Sequence, residues 1–306
     1  MIYSSHFKSI ENPLLFQHKE KYLLHFDKKK IKKPCEFQFS IKYLGVDLTI
    51  HHNDDRFQKE LKVHFPKTWQ DEFEENSLDV YLFSHKETDI QSFENEGSQD
   101  CVTFQNEGKS YCIQRDFIAY RKSDVIVSYL ELKICDGFYN LFRWILPEII
   151  LSESKCILHS SCIVNKNSKA YFFLGPSGAG KSTMAVLSKP RHILGDDMNL
   201  ISIKDGELYA SAGALGGMIF DNVNYSQKFK VAGIYWLNQS SVDYVEELDD
   251  ATSLSKIICS FANLFWEDLD EGIRNNAMKL ALSINEKCKV QNLFFTKTEK
   301  IWSLID

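Results

Sequence analysis

The 306-residue sequence predicts a sheet-rich α+β domain over residues 1–124, followed by an α/β domain of the P-loop type over residues 125–306. Three observations predict it. The first half is a series of short alternating runs separated by turn residues, the period of half-buried strands. Near Leu130 the spacing of apolar residues changes to three and four, and from there apolar strands alternate with helical stretches. Between one such strand and one such helix stands "GPSGAGKST", Gly175 to Thr183, in a chain with only 14 glycines.

In the first half, "EFQFSIKY" and "VDLTIHH" alternate around Leu44 and Gly45, and "CVTFQ" and "SYCIQR" flank the turn "NEGK". "LKVHF", "DVYLF" and "VIVSY" are further candidate strands, and the expected sheet is antiparallel. The histidines here, His51 and His52 included, read as packing and surface residues. The run "KKKIKK", Lys28 to Lys33, reads as a solvated strand edge or turn. "ELKICDGFYNLFRWILPEII" places Leu132, Cys135, Phe138, Leu141, Phe142 and Ile145 on one helical face. Then come the strands "CILHSSCIV", "AYFFLG", "HILGDDMNLISI", "GIYWLN" and "NLFFT". A late helix follows Thr252 as cap, with Leu254, Ile257, Ile258, Phe261, Leu264 and Phe265 in its stripe, and another carries Met278, Leu280, Ala281 and Ile284.

Composition narrows the function classes. The net charge of −6 argues against general nucleic-acid affinity. The first residues contain no apolar signal region, and the greasiest stretch is broken by Arg143, Pro147 and Glu148, so neither secretion nor a membrane span is expected. Eight cysteines without a C-x-x-C pair fit reduced thiols in a cytoplasmic protein rather than a zinc site.

"GPSGAGKS" matches G-x-x-x-x-G-K-[ST], with the apolar strand "YFFLG" entering it and helix-compatible "KSTMAVLS" leaving it. In such a loop the backbone N–H groups of Gly175, Pro176's followers Ser177, Gly178, Ala179 and Gly180, and those of the helix start, curl around one anion. Lys181 then reaches the β- and γ-phosphates of ATP, Ser182 offers a hydroxyl to Mg²⁺, and Thr183 or the loop amides hold the remaining oxygens. Asp196 and Asp197 follow soon after. A helix of two turns carries the chain roughly 12 Å away at about 1.5 Å per residue, and the extended "RHILGD" returns it by roughly 18 Å at about 3.3 Å each. Both aspartates therefore end near the loop, one available to Mg²⁺ and the other to an attacking hydroxyl. If "CILHSSCIV" and "AYFFLG" form a hairpin with Ile163 facing Tyr171, His159 falls opposite Gly175, beside the mouth of the loop.

Together "LHSSCIV", "FFLGPSGAGKST" and "ILGDD" resemble the catalytic domain of the HPr kinase/phosphorylase family and its peptide-precursor kinase-like members, which are akin to ATP-dependent phosphoenolpyruvate carboxykinase. "VAGIYWLNQSSVDYVEELDDATSLSKII" also looks like the later strand and helix of the peptide-kinase-like members. The resemblance implies a catalytic histidine, here His159, and an aspartate pair, with Asp196 favoured as base and Asp197 toward Mg²⁺. "SAGALGG", Ser211 to Gly217, does not match the signature that bifunctional members carry, which weighs against a reverse phosphorylase activity and against HPr as acceptor.

The expected function is an ATP-dependent kinase acting on a hydroxyl, foremost a serine of a peptide or small protein, with a small-molecule kinase and a non-catalytic nucleotide sensor as alternatives. A transporter-type ATPase is disfavoured by "GALGG" and by the lack of a glutamate ending the "ILGDD" strand. GTP is disfavoured because Ser241 stands where an N-K-x-D base reader needs aspartate. The N-terminal half is expected to select the acceptor through its strand edges, and a homo-oligomer is compatible with the family.

Overall fold

Two turns of like construction start the N-terminal sheet. The computed structural model describes residues 35–73, 77–87, 102–114, 116–217, 227–264 and 269–306; the basic run at 28–33 and Phe265 lie outside them. Strand β1 (Phe37–Tyr43) turns into β2 (Val46–His52) through Leu44 and Gly45, both at positive φ, and β4 (Val102–Asn106) turns into β5 (Lys109–Gln114) through Glu107 and Gly108 in the same way. A two-residue turn with both φ values positive matches the twist of the strands it joins.

Together with β3 (Leu78–Ser84), β6 (Phe117–Lys122) and β7 (Val125–Leu130), these strands form a seven-stranded sheet in the order β1-β2-β3-β7-β6-β5-β4. The sheet is mixed rather than antiparallel, since β2 pairs β3 and β3 pairs β7 in parallel. A parallel neighbour needs a crossover, and helices α1 (Asp55–His64) and α2 (Lys67–Asp71) lie between β2 and β3. Of the "LKVHF" stretch expected as a strand, Leu61 to His64 belong to α1 and Phe65 is its C-cap. Asp54 caps that helix by accepting from the Phe57 N–H at 2.8 Å, and Phe57 and Leu61, four apart, are buried, whereas Val63 is 86% exposed. The alternation of Leu61, Val63 and Phe65 is a coincidence overridden by the cap and the four-residue spacing. The rings of Phe65, Trp69 and Phe142 gather around Tyr43 to form the core under this sheet.

Helix α3 spans Asp136–Ile150 with Pro147 inside it, so it ends with the expected stretch but starts after Leu132 and Cys135. The chain divides into two units between Trp144 and Ile145, later than the boundary expected at 124/125, because β7 pairs with β3 and β6 and so completes the first sheet.

The second unit holds β8 (Lys155–Val164), β9 (Lys169–Leu174), α4 (Lys181–Leu187), β10 (His192–Gly195), β11 (Met198–Lys204), β12 (Glu207–Ala212), β13 (Phe229–Gln239), β14 (Tyr244–Glu247), α5 (Asp250–Ser260), α6 (Glu271–Lys287), β15 (Val290–Phe295) and a terminal turn, α7 (Trp302–Ile305). Eight strands form one sheet, and the pairings β8-β11-β12-β13-β9-β8 close a circuit within it. The cap of α5 is Asp249 rather than Thr252; its carboxylate takes both the N–H and the hydroxyl of Thr252. Even-numbered β8 residues such as Leu158 and Cys162 join Phe172, Ile257 and Leu280 in one core, while Ile163 joins Phe173, Met184 and Ala185 in a second, under α4.

No helix among the described residues is long and apolar enough to cross a membrane. None of the seven described cysteines is in a disulfide, and burial pushes the thiols of Cys156 and Cys162 well above the usual range.

Candidate functional site

Strand β8 is the spine of the site. Its residues 162–164 pair on one edge with β9 and on the other with β10, both antiparallel, so β9 and β10 run parallel with β8 between them. The chain leaves the sheet at the end of β9, passes through the glycine loop and α4, and returns one strand beyond β8. Strand spacing of about 4.8 Å then places the loop entrance and the Asp196–Asp197 bend on either side of β8, roughly 10 Å apart.

The register settles which β8 residues stand between them. Ile163 faces Tyr171 and Ser160 faces Leu174, so the next rung brings His159 level with Gly175. On the other edge Met198 faces His159, and the Ser160 N–H donates to the Asp197 carbonyl at 2.8 Å. The side chains complete the contact: His159 Nε2 lies 3.2 Å from Asp197 Oδ1. Asp197 retains 31% exposure of its side chain, whereas Asp196 is 3% exposed, with its Oδ1 against Gly217.

Across β8, the loop is wound tightly. Gly175, Gly178 and Gly180 have positive φ, and a Cβ on Gly180 would come within 2.7 Å of the Phe295 ring. Lys181 is buried and donates to the carbonyls of Gly175 at 2.9 Å and Pro176 at 3.2 Å. Burial pushes its ammonium below the ordinary value, and the Asp197 carboxylate opposes that shift. The two carbonyls and the carboxylate favour the charged form of this buried lysine against its desolvation. Ser177, Gly178 and Ser182 are exposed there, Pro176, Ala179, Gly180 and Thr183 partly so.

Mg²⁺ that travels with a nucleotide takes most of its ligands from phosphates and water and asks the protein for one or two oxygens. The accessible Asp197 carboxylate and the exposed Ser182 hydroxyl fit that demand. No group of three or more His, Cys, Asp or Glu side chains suited to a metal ion occurs among the described residues.

Several contributors escape motif reading. Asn199 sits inside β11 and donates its amide to the Ser160 carbonyl at 2.6 Å and the Gly195 carbonyl at 3.2 Å, tying the spine to the strand that delivers the aspartates. Gln239 and Phe295 are the last residues of β13 and β15, which run parallel to β9. Ligands of open α/β sheets gather at the carboxyl ends of strands, so the final residue of each apolar run after the loop is the signal that could have found them.

No family model matches the chain, and no curated protein matches it. Among solved structures, the chain is similar to the Hpr(Ser) kinase/phosphatase from Coxiella burnetii at 12% identity, over 45% of this chain and 84% of that one, with a TM-score of 0.26. A likeness at that level carries no argument about activity.

Proposed function

We propose that this protein is an ATP-dependent kinase that transfers the γ-phosphoryl group to a hydroxyl, foremost that of a serine in a peptide or small protein. The observation that carries the reading is the convergence of Lys181, His159 and Asp197 from three separate segments: Asp197 contacts His159 directly and acts electrostatically on Lys181.

In this reading the loop from Gly175 to Thr183 binds the polyphosphate. Lys181 leaves its two carbonyls for the β- and γ-phosphate oxygens, where its charge offsets that of the transferring group. Asp197 and Ser182 would hold Mg²⁺, which supplies charge neutralisation to the phosphates when bound. His159 orients Asp197 through its Nε2. Asp196 is the base that takes the proton of the acceptor hydroxyl.

A small-molecule acceptor, or a sensor without turnover, remains the alternative. The deciding experiment incubates cell extract with the full-length protein and heavy-isotope ATP, then maps the label by mass spectrometry. Label on a serine-containing peptide or small protein supports the reading; label on a small molecule moves it to the alternative kinase. Saturable ATP binding with no labelled product at all identifies a sensor.

A further inference from the structure

The loop already contains an oxygen that behaves as a phosphate oxygen would. The Pro176 carbonyl accepts from the Ala179 N–H at 3.1 Å and from Lys181 Nζ at 3.2 Å. These are two donors that an incoming anion needs. The partner of the Ala179 N–H across the same peptide bond is the Gly178 carbonyl, and it points the other way, accepting from the Gln239 side-chain amide at 2.9 Å.

That opposition matters because a glycine puts little restraint on the orientation of this peptide. Gly178 has φ +80°, and nothing lies within 4 Å of the position its Cβ would occupy, so no side chain restrains its backbone, and the peptide is held by the Ala179 N–H bond to the Pro176 carbonyl and by the Gln239 amide. A flipped peptide would aim its carbonyl into the loop, and an inward carbonyl repels an anion that inward N–H groups attract. Gln239 is placed to prevent this. It ends β13, is followed by Ser240, whose N–H donates to the Phe295 carbonyl at 3.0 Å, and so rests on the paired ends of two strands.

We propose that Gln239 is a positioning residue of the phosphate loop: its amide locks the Gly178–Ala179 peptide with the carbonyl outward and the N–H inward, and thereby sets the affinity for a polyphosphate chain. This role presupposes the nucleotide-binding reading of the loop. Gln239 touches no phosphate itself and acts through the peptide it holds.

The test uses the full-length protein with Gln239→Ala and Gln239→Met, the second keeping the length without a donor. Calorimetric titration with Mg²⁺·ATP and with Mg²⁺·tripolyphosphate, which has no nucleoside, is compared with the thermal midpoint of the ligand-free protein. The expected result is a loss of about fivefold in affinity for both probes, the factor one neutral hydrogen bond is worth, with an unchanged midpoint because Gln239 is exposed. Undiminished affinity for both probes overturns the proposal. So does a loss confined to ATP, which would place Gln239 on the nucleoside, or a fall in the midpoint large enough to account for the weaker binding. If the wild-type protein binds neither probe, the nucleotide reading itself fails, a result that no Gln239 variant can produce.

Discussion

His159 on β8 and Asp197 beyond β10 meet with 3.2 Å between Nε2 and Oδ1, although 38 positions separate them (197 − 159). The contact exists because β8 is paired on both edges, so a histidine on its accessible stretch is one strand away from both the loop and the aspartates. Removing the partners should separate orientation from chemistry. Asp196→Asn is expected to keep ATP binding and to lose transfer by roughly two to four powers of ten, the worth of a positioned base. His159→Ala should lower kcat with little change in the KM for ATP. Isotope-labelled transfer assays with the identified acceptor check both, and an Asp196→Asn rate equal to wild type at saturating acceptor would exclude that residue as base.

Lys181→Ala should abolish most Mg²⁺·ATP affinity, because the phosphates lose their main side-chain counter-charge. Equilibrium titration with a fluorescent ATP analogue reads this directly. Ser182→Ala is expected to weaken the binding gain that Mg²⁺ confers more than binding without the ion.

Gly180→Ala should damage the loop in two ways. The residue has φ +112°, and the added Cβ would meet Phe295 at 2.7 Å. A strained backbone and an overpacked ring together are expected to cost about 2 kcal/mol or more. Denaturant unfolding measures that cost, and the ATP titration should show the accompanying loss of affinity.

Asn199→Ala tests the clamp between β8 and β11. It leaves the buried carbonyl of Ser160 and the part-buried carbonyl of Gly195 without the amide that serves them, an expected cost of about 2 kcal/mol. The midpoint in urea should fall, and transfer should fall with it at temperatures where the protein is still folded. Transfer unaffected at such temperatures would mean that the aspartates keep their place without the clamp.

Stability should decline on the acid side. Burial holds His52, His64 and His192 below the ordinary value of 6.5, against the Gln58 hydrogen bond in the case of His52. Below about pH 6.5 the unfolded chain therefore binds protons that the folded chain does not, and stability rises with pH across that window. It is fully present above pH 6.5 and is lost as pH falls toward the lowered folded-state values. Thermal midpoints at pH 7.5 and 5.5 check the sign, and His52→Gln should flatten part of the difference.

Local chemistry explains what could be read in advance. Glycines at spaced positions, a lysine, a serine and the flanking apolar runs define the loop from Gly175 to Thr183 without tertiary information, since each requirement is met within nine consecutive residues. The hairpin register of Ile163 against Tyr171 was legible for the same reason: a short turn leaves few alternatives. The helix at Asp55–His64 was not, because Leu61, Val63 and Phe65 satisfy a strand period locally, and the Asp54 cap together with the burial of Phe57 and Leu61 decides against it.

By itself the sequence determined the strand, the loop, the start of α4 and the return of two aspartates, because these depend on neighbours a few residues apart. Only the tertiary structure decided that Asp197, rather than the buried Asp196, is partly exposed and in contact with His159, and that Gln239 and Phe295 support the loop. Those relations join segments from different strands, and they depend on sheet order and burial, which no local pattern encodes.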